Sequence, residues 1–346
     1  MATRPARLPL WLAVVGCAVL LMVVATLGIA IGSVPLSAAQ VWTVVLDHLR
    51  GRPSTSTADS IVWEIRLPRV LLAAVVGAAL TVTGAVVQVL VRNTLADPYL
   101  LGVSSGASVG ATAVLLFGSL AGLGLWALSV AAIGGALAAM VIVFLVSQRG
   151  GQLAPTQLIL TGVVLAALFS SITSFLLFKG NPQATQTVLF WLLGSFGSAN
   201  WQQLPIPAVV LVVTVVVLFT QSRSLNALAA GEQVAASVGI NVPALCRRLF
   251  LITSVIAGVA VAVSGVIGFI GLVVPHIVRL LVGADHRRLL PVGALFGASF
   301  TIVGDLLART IVAPQEMPMG VITAFIGAPT LIWLLRRRPH LHGGDG

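Results

Sequence analysis

The side chains able to do chemistry in this 346-residue chain are few: nine carboxylates, nineteen lysines and arginines, five histidines and two cysteines. A nucleotide-binding P-loop needs G-x-x-x-x-G-K-[ST], and the only lysine, Lys179, is followed by glycine, so ATP phosphates have no such cradle here. There is no H-E-x-x-H pair. No serine reads as the nucleophile of an elbow, which needs a strand, a tight turn and a helix. His276, in VVPHIVRL, has no His, Cys or carboxylate at ligand spacing and reads as a packing or capping residue. Cys17 and Cys246 lie in or beside apolar segments with no disulfide or metal spacing, and read as small buried apolar residues. One carboxylate, Asp305, falls well inside an apolar segment. Arg309 follows it by four residues, so the two share a helix face and can pair. A proton relay is the competing reading of Asp305, but a single carboxylate is a thin basis for ion-driven transport.

The elements that position these residues follow from composition. Hydrophobic residues make up 58% and charged residues 8% of the chain, against about 25% charged in a soluble domain. The shortfall means that most of the outer surface faces lipid. The pI near 11.6 does not imply nucleic acid, because the arginines are scattered between apolar segments rather than gathered on a stripe with aromatics. A bilayer core takes about 20 apolar residues as helix. Ten segments qualify: 8–31, 67–91, 99–118, 124–146, 155–178, 205–220, 248–267, 268–283, 290–308 and 319–335. The seventh and eighth run nearly together, with Gly265, Gly268 and Gly271 allowing the break. The first segment is too long for a signal peptide and lacks a clear cleavage site, so it reads as a retained span. The fold class is therefore an all-α polytopic membrane protein, one membrane domain over 1–346. With both termini cytoplasmic, 13 of the basic residues lie inside and 6 outside, as the positive-inside rule requires.

Three longer connections remain. Residues 32–65 lie outside and hold a short helix near Ala38–Leu49. Residues 179–204 lie outside, and Val188–Trp201 reads as an interfacial helix with Trp191 and Trp201 at headgroup level. Residues 221–246 lie inside, with helical content on both sides of Gly231 and again before Gly239. Such a helix–glycine–helix suits a compact knob for a separate ATPase subunit; an ordinary amphipathic connector is the alternative.

Several motifs together carry a resemblance. They are RLPRVLLAAVVGAALTVTGAVVQVLVRNTLADPYLLGVSSGA, TQLILTGVVLAAL, VLFWLLGSF, LNALAAGEQVAASVGI, SGVIGFIGLVVPHIVRLLVGADHRRLLP, GDLLAR and IGAPTLIWLL. Over about residues 60–336 the chain resembles the iron-siderophore and cobalamin (FecCD-type) permeases of binding-protein-dependent ABC importers. The resemblance implies a type II importer permease in the cell membrane. It implies two cytoplasmic ATP-binding subunits, an external solute-binding protein, a dimeric pore made with a second copy or a sister permease, and no cofactor. Ferric siderophores are the expected cargo; cobalamin, haem or another metal chelate is the alternative.

The resemblance also assigns roles. Arg66, Arg69 and Arg309 match positions that pair with glutamates of the binding protein, although interfacial snorkelling or the Asp305 pair could occupy them. The loop from Leu225 to Val242, with Leu225, Asn226, Leu228, Gly231, Glu232, Ala235 and Gly239, matches the coupling helices that seat in the ATPase. The turn holding Arg92, Asn93, Asp97 and Pro98 matches the inner gate. Pro98 stops a helix, and Gly102 and Gly106 allow close packing. Gly150 and Gly151 supply a second gate element, and a plain turn is the alternative for each. The departures are AAGEQ, where leucine more often precedes the glycine, and Thr94, where proline is common. A proton-coupled secondary exporter and an intramembrane enzyme are the rival classes; the first needs more membrane carboxylates, the second a nucleophile–base pair or a metal site.

Overall fold

A computed structural model describes residues 9–336 except 53, 55, 150 and 151. Helix α1 (Leu10–Ala30) is followed by α2 (Ala38–Leu49) and α3 (Thr57–Ser60), which runs through a π-helical turn (Ile61–Arg66) into α4 (Leu67–Leu90). A 3-10 turn (Pro98–Leu101) leads into α5 (Val103–Phe117), and a second (Ala121–Trp126) into α6 (Ala127–Val146). A two-residue antiparallel ladder, β1 (Gln148–Arg149) with β2 (Gln152–Leu153), precedes α7 (Pro155–Lys179). Then come α8 (Pro182–Leu192), α9 (Pro205–Thr220), α10 (Ser222–Ala229), α11 (Glu232–Ser237), α12 (Val242–Ser264), α13 (Ile270–Val282), α14 (His286–Thr310) and α15 (Met319–Arg336).

Each of the ten predicted spans corresponds to one helix: α1, α4 to α7, α9 and α12 to α15. Local chemistry sets their starts. Ser37 and Gln40 close a capping box on α2. Asn181 caps α8, Asn241 caps α12 and Asp285 caps α14. Prolines at the first helical turn open α7, α8, α9 and α12. Among the described residues six helices are long and apolar enough to cross a bilayer alone; α9 qualifies only together with α10, bent from it by 65°, and α5, α13 and α15 are shorter apolar helices. The shortest predicted span is the eighth: α13 has 13 residues, about 20 Å at 1.5 Å per residue, against a core of about 30 Å. The predicted seventh span starts six residues early, at Val242, because Asn241 and Pro243 make a strong helix start. The outside helix also moves. It spans Pro182–Leu192, not 188–201, because Asn181 caps it and Gly194 (φ 73°) ends it. Trp201 lies in the loop beyond, its Nε1 donating to Trp63 O at 2.8 Å.

Helix α4 is the hub. In its most apolar stretch 83% of residues are buried, against 22% in α1 and in α7. Small residues let its neighbours come close, as in other membrane bundles. Gly77 meets Gly297 and Thr301 of α14, and Gly84 meets the Gly271 backbone of α13. On the other flank Gly106 of α5 lies against Gly135 of α6. Gly102 has a different duty from the one expected: it leaves ordinary space for a side chain, but its φ is +77°, a left-handed turn that glycine adopts freely.

Irregular backbone at membrane depth must be satisfied by protein, and here two breaks satisfy each other. Tyr99 Oη in the turn before α5 accepts the Ile267 N–H between α12 and α13 at 3.2 Å. Ser195 N donates to Ser264 O, and Met319 and Gly320 N–H donate to Gly194 and Leu193 O, each at 2.9 Å. Gly265 (φ 68°) admits no side chain, since a Cβ would run into Trp191 O.

A side chain at Gly84 would collide with Gly271 backbone, which cannot swing away. Gly84→Val should cost at least about 1–3 kcal/mol, the usual cost of overpacking. Gly134 has open space around it, so Gly134→Ala should leave stability nearly unchanged. Thermal unfolding in detergent, followed by size-exclusion fluorescence, compares the two.

Candidate functional site

At the outer ends of α1, α4 and α14, five charged groups converge. Asp305 on α14 is 2% exposed as a side chain and takes Arg69 of α4 at 2.9–3.1 Å through Nε and Nη2. Arg309, one turn along α14, brings Nε to 3.2 Å from Asp305 Oδ2. Arg69 also pairs with Glu316 at 2.9 and 3.0 Å. Arg66 donates to Ile29 O (2.7 Å), Ala30 O (3.0 Å) and Val34 O (2.7 Å), while Arg309 donates to Gly28 O at 2.9 Å. With Ile31 N on Leu27 O, all four last carbonyls of α1 have a donor. Helix ends leave these groups orphaned, and two arginines carried on other helices supply what local sequence does not. The negative end of the helix dipole favours the same cations.

The pairing of Asp305 with Arg309 is as expected. The exposure expected of Arg66, Arg69 and Arg309 is not found: Arg66 and Arg69 are 5% and 8% exposed, and the side chain of Arg309 is 8% exposed. Their guanidinium groups are engaged within the chain, on the Gly28, Ile29, Ala30 and Val34 carbonyls and on Asp305. The most solvent-accessible member is Glu316, 47% exposed. Glu316 escaped sequence reasoning, since its loop carries no motif. It also lines an outer cleft of about 460 Å³ with Phe190, Trp191, Ser195, Ser198 and Gln203. Nearby, His48 stacks on Trp63 at 4.0 Å, and Trp63 meets Trp201 at 4.9 Å between centroids.

At the inner face the coupling segment forms two short helices, as expected, with Gly231 (φ 125°) and Gly239 (φ 82°) as the breaks. Its residues divide by duty. Leu225, Leu228 and Ala235 are buried in this chain, so they anchor the knob rather than meet a partner. The large apolar side chains left outward are Val234 (46%) and Val238 (64%). Asn226 fastens the knob to α14: its Nδ2 donates to Asp285 Oδ1 at 2.7 Å, and its Oδ1 accepts the His286 N–H at 2.9 Å. Asp285 and His286 were missed; the helix cap was legible, but its partner is 59 residues away. Beside burial, which works against the charge, the Asn226 and Arg287 donors and the nearby Arg287 and Arg288 charges hold the Asp285 carboxyl below its usual range.

The expected gate turn lies next to this knob. Arg92 (φ 54°) makes an ion pair with Glu232 at the start of α11. Asn93 Oδ1 accepts the Leu95 N–H at 2.9 Å, and Asp97 caps the turn by accepting the Tyr99 N–H at 2.9 Å. Pro98 begins the 3-10 turn and packs on Gly271. Gly150 and Gly151 lie outside the described residues. The strings Gly102–Gly106 and Gly106–Gly110 do spell G-x-S-x-G, but they open α5 from a 3-10 turn with no strand before it. Gly106 and Gly110 serve the α5–α6 contact, against Gly135 and Ala131, and Gly102 forms the left-handed turn. Among the described residues no three His, Cys, Asp or Glu side chains gather as a metal site.

The fold and these two faces define a class: a polytopic membrane pore subunit with no nucleotide site of the P-loop kind. The FecCD transport family model matches residues 20–337, and the chain belongs to that family. It is thus a multi-pass permease of ABC importers of the metal-chelate type, whose ATPase activity lies in separate subunits. The hemin transport system permease protein HmuU of Yersinia pestis is 42% identical over 336 residues, 95% of this chain and 97% of that protein. The cobalamin import system permease protein BtuC of Halobacterium salinarum is 42% identical over 282 residues, 82% and 75% of the two chains. A solved metal-chelate type ABC transporter in an inward-facing conformation superposes with a TM-score of 0.82 and 32% identity, covering 94% of this chain and 98% of that one.

Removing one partner of a buried ion pair strands the other charge, at about 3–5 kcal/mol. Asp305→Asn leaves Arg69 and Arg309 facing each other and should lose that order of stability. Glu316→Gln, on the half-exposed side, should lose about 1 kcal/mol or less. Thermal melts of the two variants in the same lipid test the contrast; equal losses would contradict the assigned burial.

Proposed function

We propose that this chain forms the translocation path for an iron chelate, haem or a ferric siderophore. Two cytoplasmic ATP-binding subunits drive it and an external binding protein feeds it. The observation carrying this reading is the likeness to a hemin transport permease along nearly the full length of both chains. Cobalamin is the second reading, favoured by relatives named for that cargo, one from Halobacterium salinarum and one from Salmonella paratyphi A.

The loaded binding protein docks over the ends of α1, α4 and α14. The arginines 66, 69 and 309 act there mainly by holding the surface in shape and by adding positive potential for encounter, with Glu316 at the rim of the outer cleft. The path runs between two copies. Ser170, Ser171 and Ser174 are exposed on α7; hydroxyls have little use against lipid and suit a wet channel. On the inner side Val234 and Val238 contact the ATPase. Movement of the knob reaches the gate turn through the Arg92–Glu232 pair.

Uptake of radiolabelled chelates in a deletion strain tests the cargo. Loss of haem or one siderophore class, with cobalamin uptake intact, is the expected outcome; loss of cobalamin alone overturns the iron reading. The coupling link has its own test. Arg92→Glu and Glu232→Arg should each lower uptake several-fold, and the double swap should restore it. Restoration separates a charge contact from a general need for either residue.

A further inference from the structure

A cavity of about 340 Å³ lies where the gate turn, the coupling knob and the inner ends of α13 and α14 meet. Its rim is exposed at Arg92, Thr94, Ala229, Ala230 and Ala284, and its floor is buried at Gln88, Leu228 and His286. Two polar atoms on that floor have no hydrogen-bond partner: His286 Nε2 and Gln88 Oε1, on side chains 2% and 3% exposed. Buried polar atoms in native folds are matched by protein, water or ligand, so these two ask what fills the space.

The chemistry of each atom is settled by its neighbours. Gln88 Nε2 is directed at Gly271 O and Leu272 O, 3.3 and 3.4 Å away, which leaves Oε1 as an acceptor. Asn226 Nδ2 donates to Asp285, so Asn226 Oδ1 is an acceptor, and His286 Nδ1, 2.7 Å from it, carries the proton. Nε2, the other ring nitrogen, is then an acceptor. Two guanidinium groups, Arg92 and Arg279, line the same walls, and the positive end of the 25-residue α14 opens there. Two carboxylates stand close by: Glu232 on Arg92, and Asp285 on Asn226.

We propose that this cavity binds a phosphate group that still carries a proton, either orthophosphate or a phosphomonoester. Its charged oxygens meet Arg92 and Arg279. Its P–O–H donates to Gln88 Oε1 or to His286 Nε2, acceptors that a fully deprotonated oxyanion could not satisfy. Bound there, the group ties α4 and the gate turn to α13, α14 and the knob, and so braces the inner face in this arrangement. The source is a solute or the headgroup of phosphatidic acid in the inner leaflet.

The full-length permease in phosphatidylcholine nanodiscs is the sample, and its thermal unfolding the readout. Orthophosphate should raise the midpoint saturably, and sulfate, which has no O–H near neutral pH, should not. Arg92→Gln, at the exposed rim and safe for folding, should weaken the apparent affinity on the order of tenfold. Gln88→Leu, which removes one of the two acceptors, should narrow the preference for phosphate over sulfate. If orthophosphate is silent but discs containing phosphatidic acid give the rise, and Arg92→Gln abolishes it, the phosphomonoester is the lipid and the assignment stands. No rise with either source overturns the proposal. So does a rise that sulfate reproduces in the wild type, or one that Arg92→Gln leaves unchanged.

Discussion

Asp305 holds the outer ends of three helices together, and the rest of the fold is arranged around that contact. It fixes Arg69 on α4 and Arg309 on α14; Arg309 and Arg66 then close the end of α1. In water each of these groups could be hydrated at small cost. Within a membrane protein a lone buried charge or an open carbonyl is expensive, so the groups settle one another. The network also explains why α1, whose sides mostly face outward, stays attached: its end is held by hydrogen bonds to side chains of buried helices.

Below that clamp the α4–α14 pair relies on close backbone approach. Lipid tails are as apolar as leucine, so burial of bulk between helices gains little, and contact distance matters more. The glycine at each crossing therefore does what a leucine would do in a soluble core. The two irregular stretches, before α5 and before α13, are tolerable for the same reason as the clamp. Side chains of the first accept N–H groups of the second, as Tyr99 Oη does from Ile267, so the backbone at the start of short α13 has partners.

The inner face is built differently. It has an exposed ion pair, Arg92–Glu232, and short helices separated by glycines. The knob is nonetheless not loose. Leu225 and Leu228 root it in the bundle, and Asn226 bolts it to the cap of α14. Asn226 and Glu232 thus tie the knob to the start of α14 and to the turn after α4, the same two helices that carry Asp305 and Arg69 at their other ends.

Much of this was legible in the residues. Apolar length fixed the ten helices, since a bilayer admits little else. Ser37 with Gln40, and the prolines at helix starts, are local signals for element boundaries that a reading by apolar length does not use. The i,i+4 spacing gave the Asp305–Arg309 pair, and Gly231 and Gly239 gave the two helices of the knob. What stayed hidden was long-range. Nothing near Arg66 in sequence shows that the end of α1 needs its guanidinium, so it was assigned to the surface. Glu316, Asp285 and His286 became visible only when segments far apart met. The glycine break before α13 was expected, but α13 was read as a full span, because hydropathy counts apolar residues and does not show that Phe269 (φ 68°) delays the helix to Ile270. Sequence by itself determined which segments leave water, through transfer energy and local capping. Tertiary structure alone decided which polar groups satisfy one another, because in a bundle those partners are set by packing between distant helices.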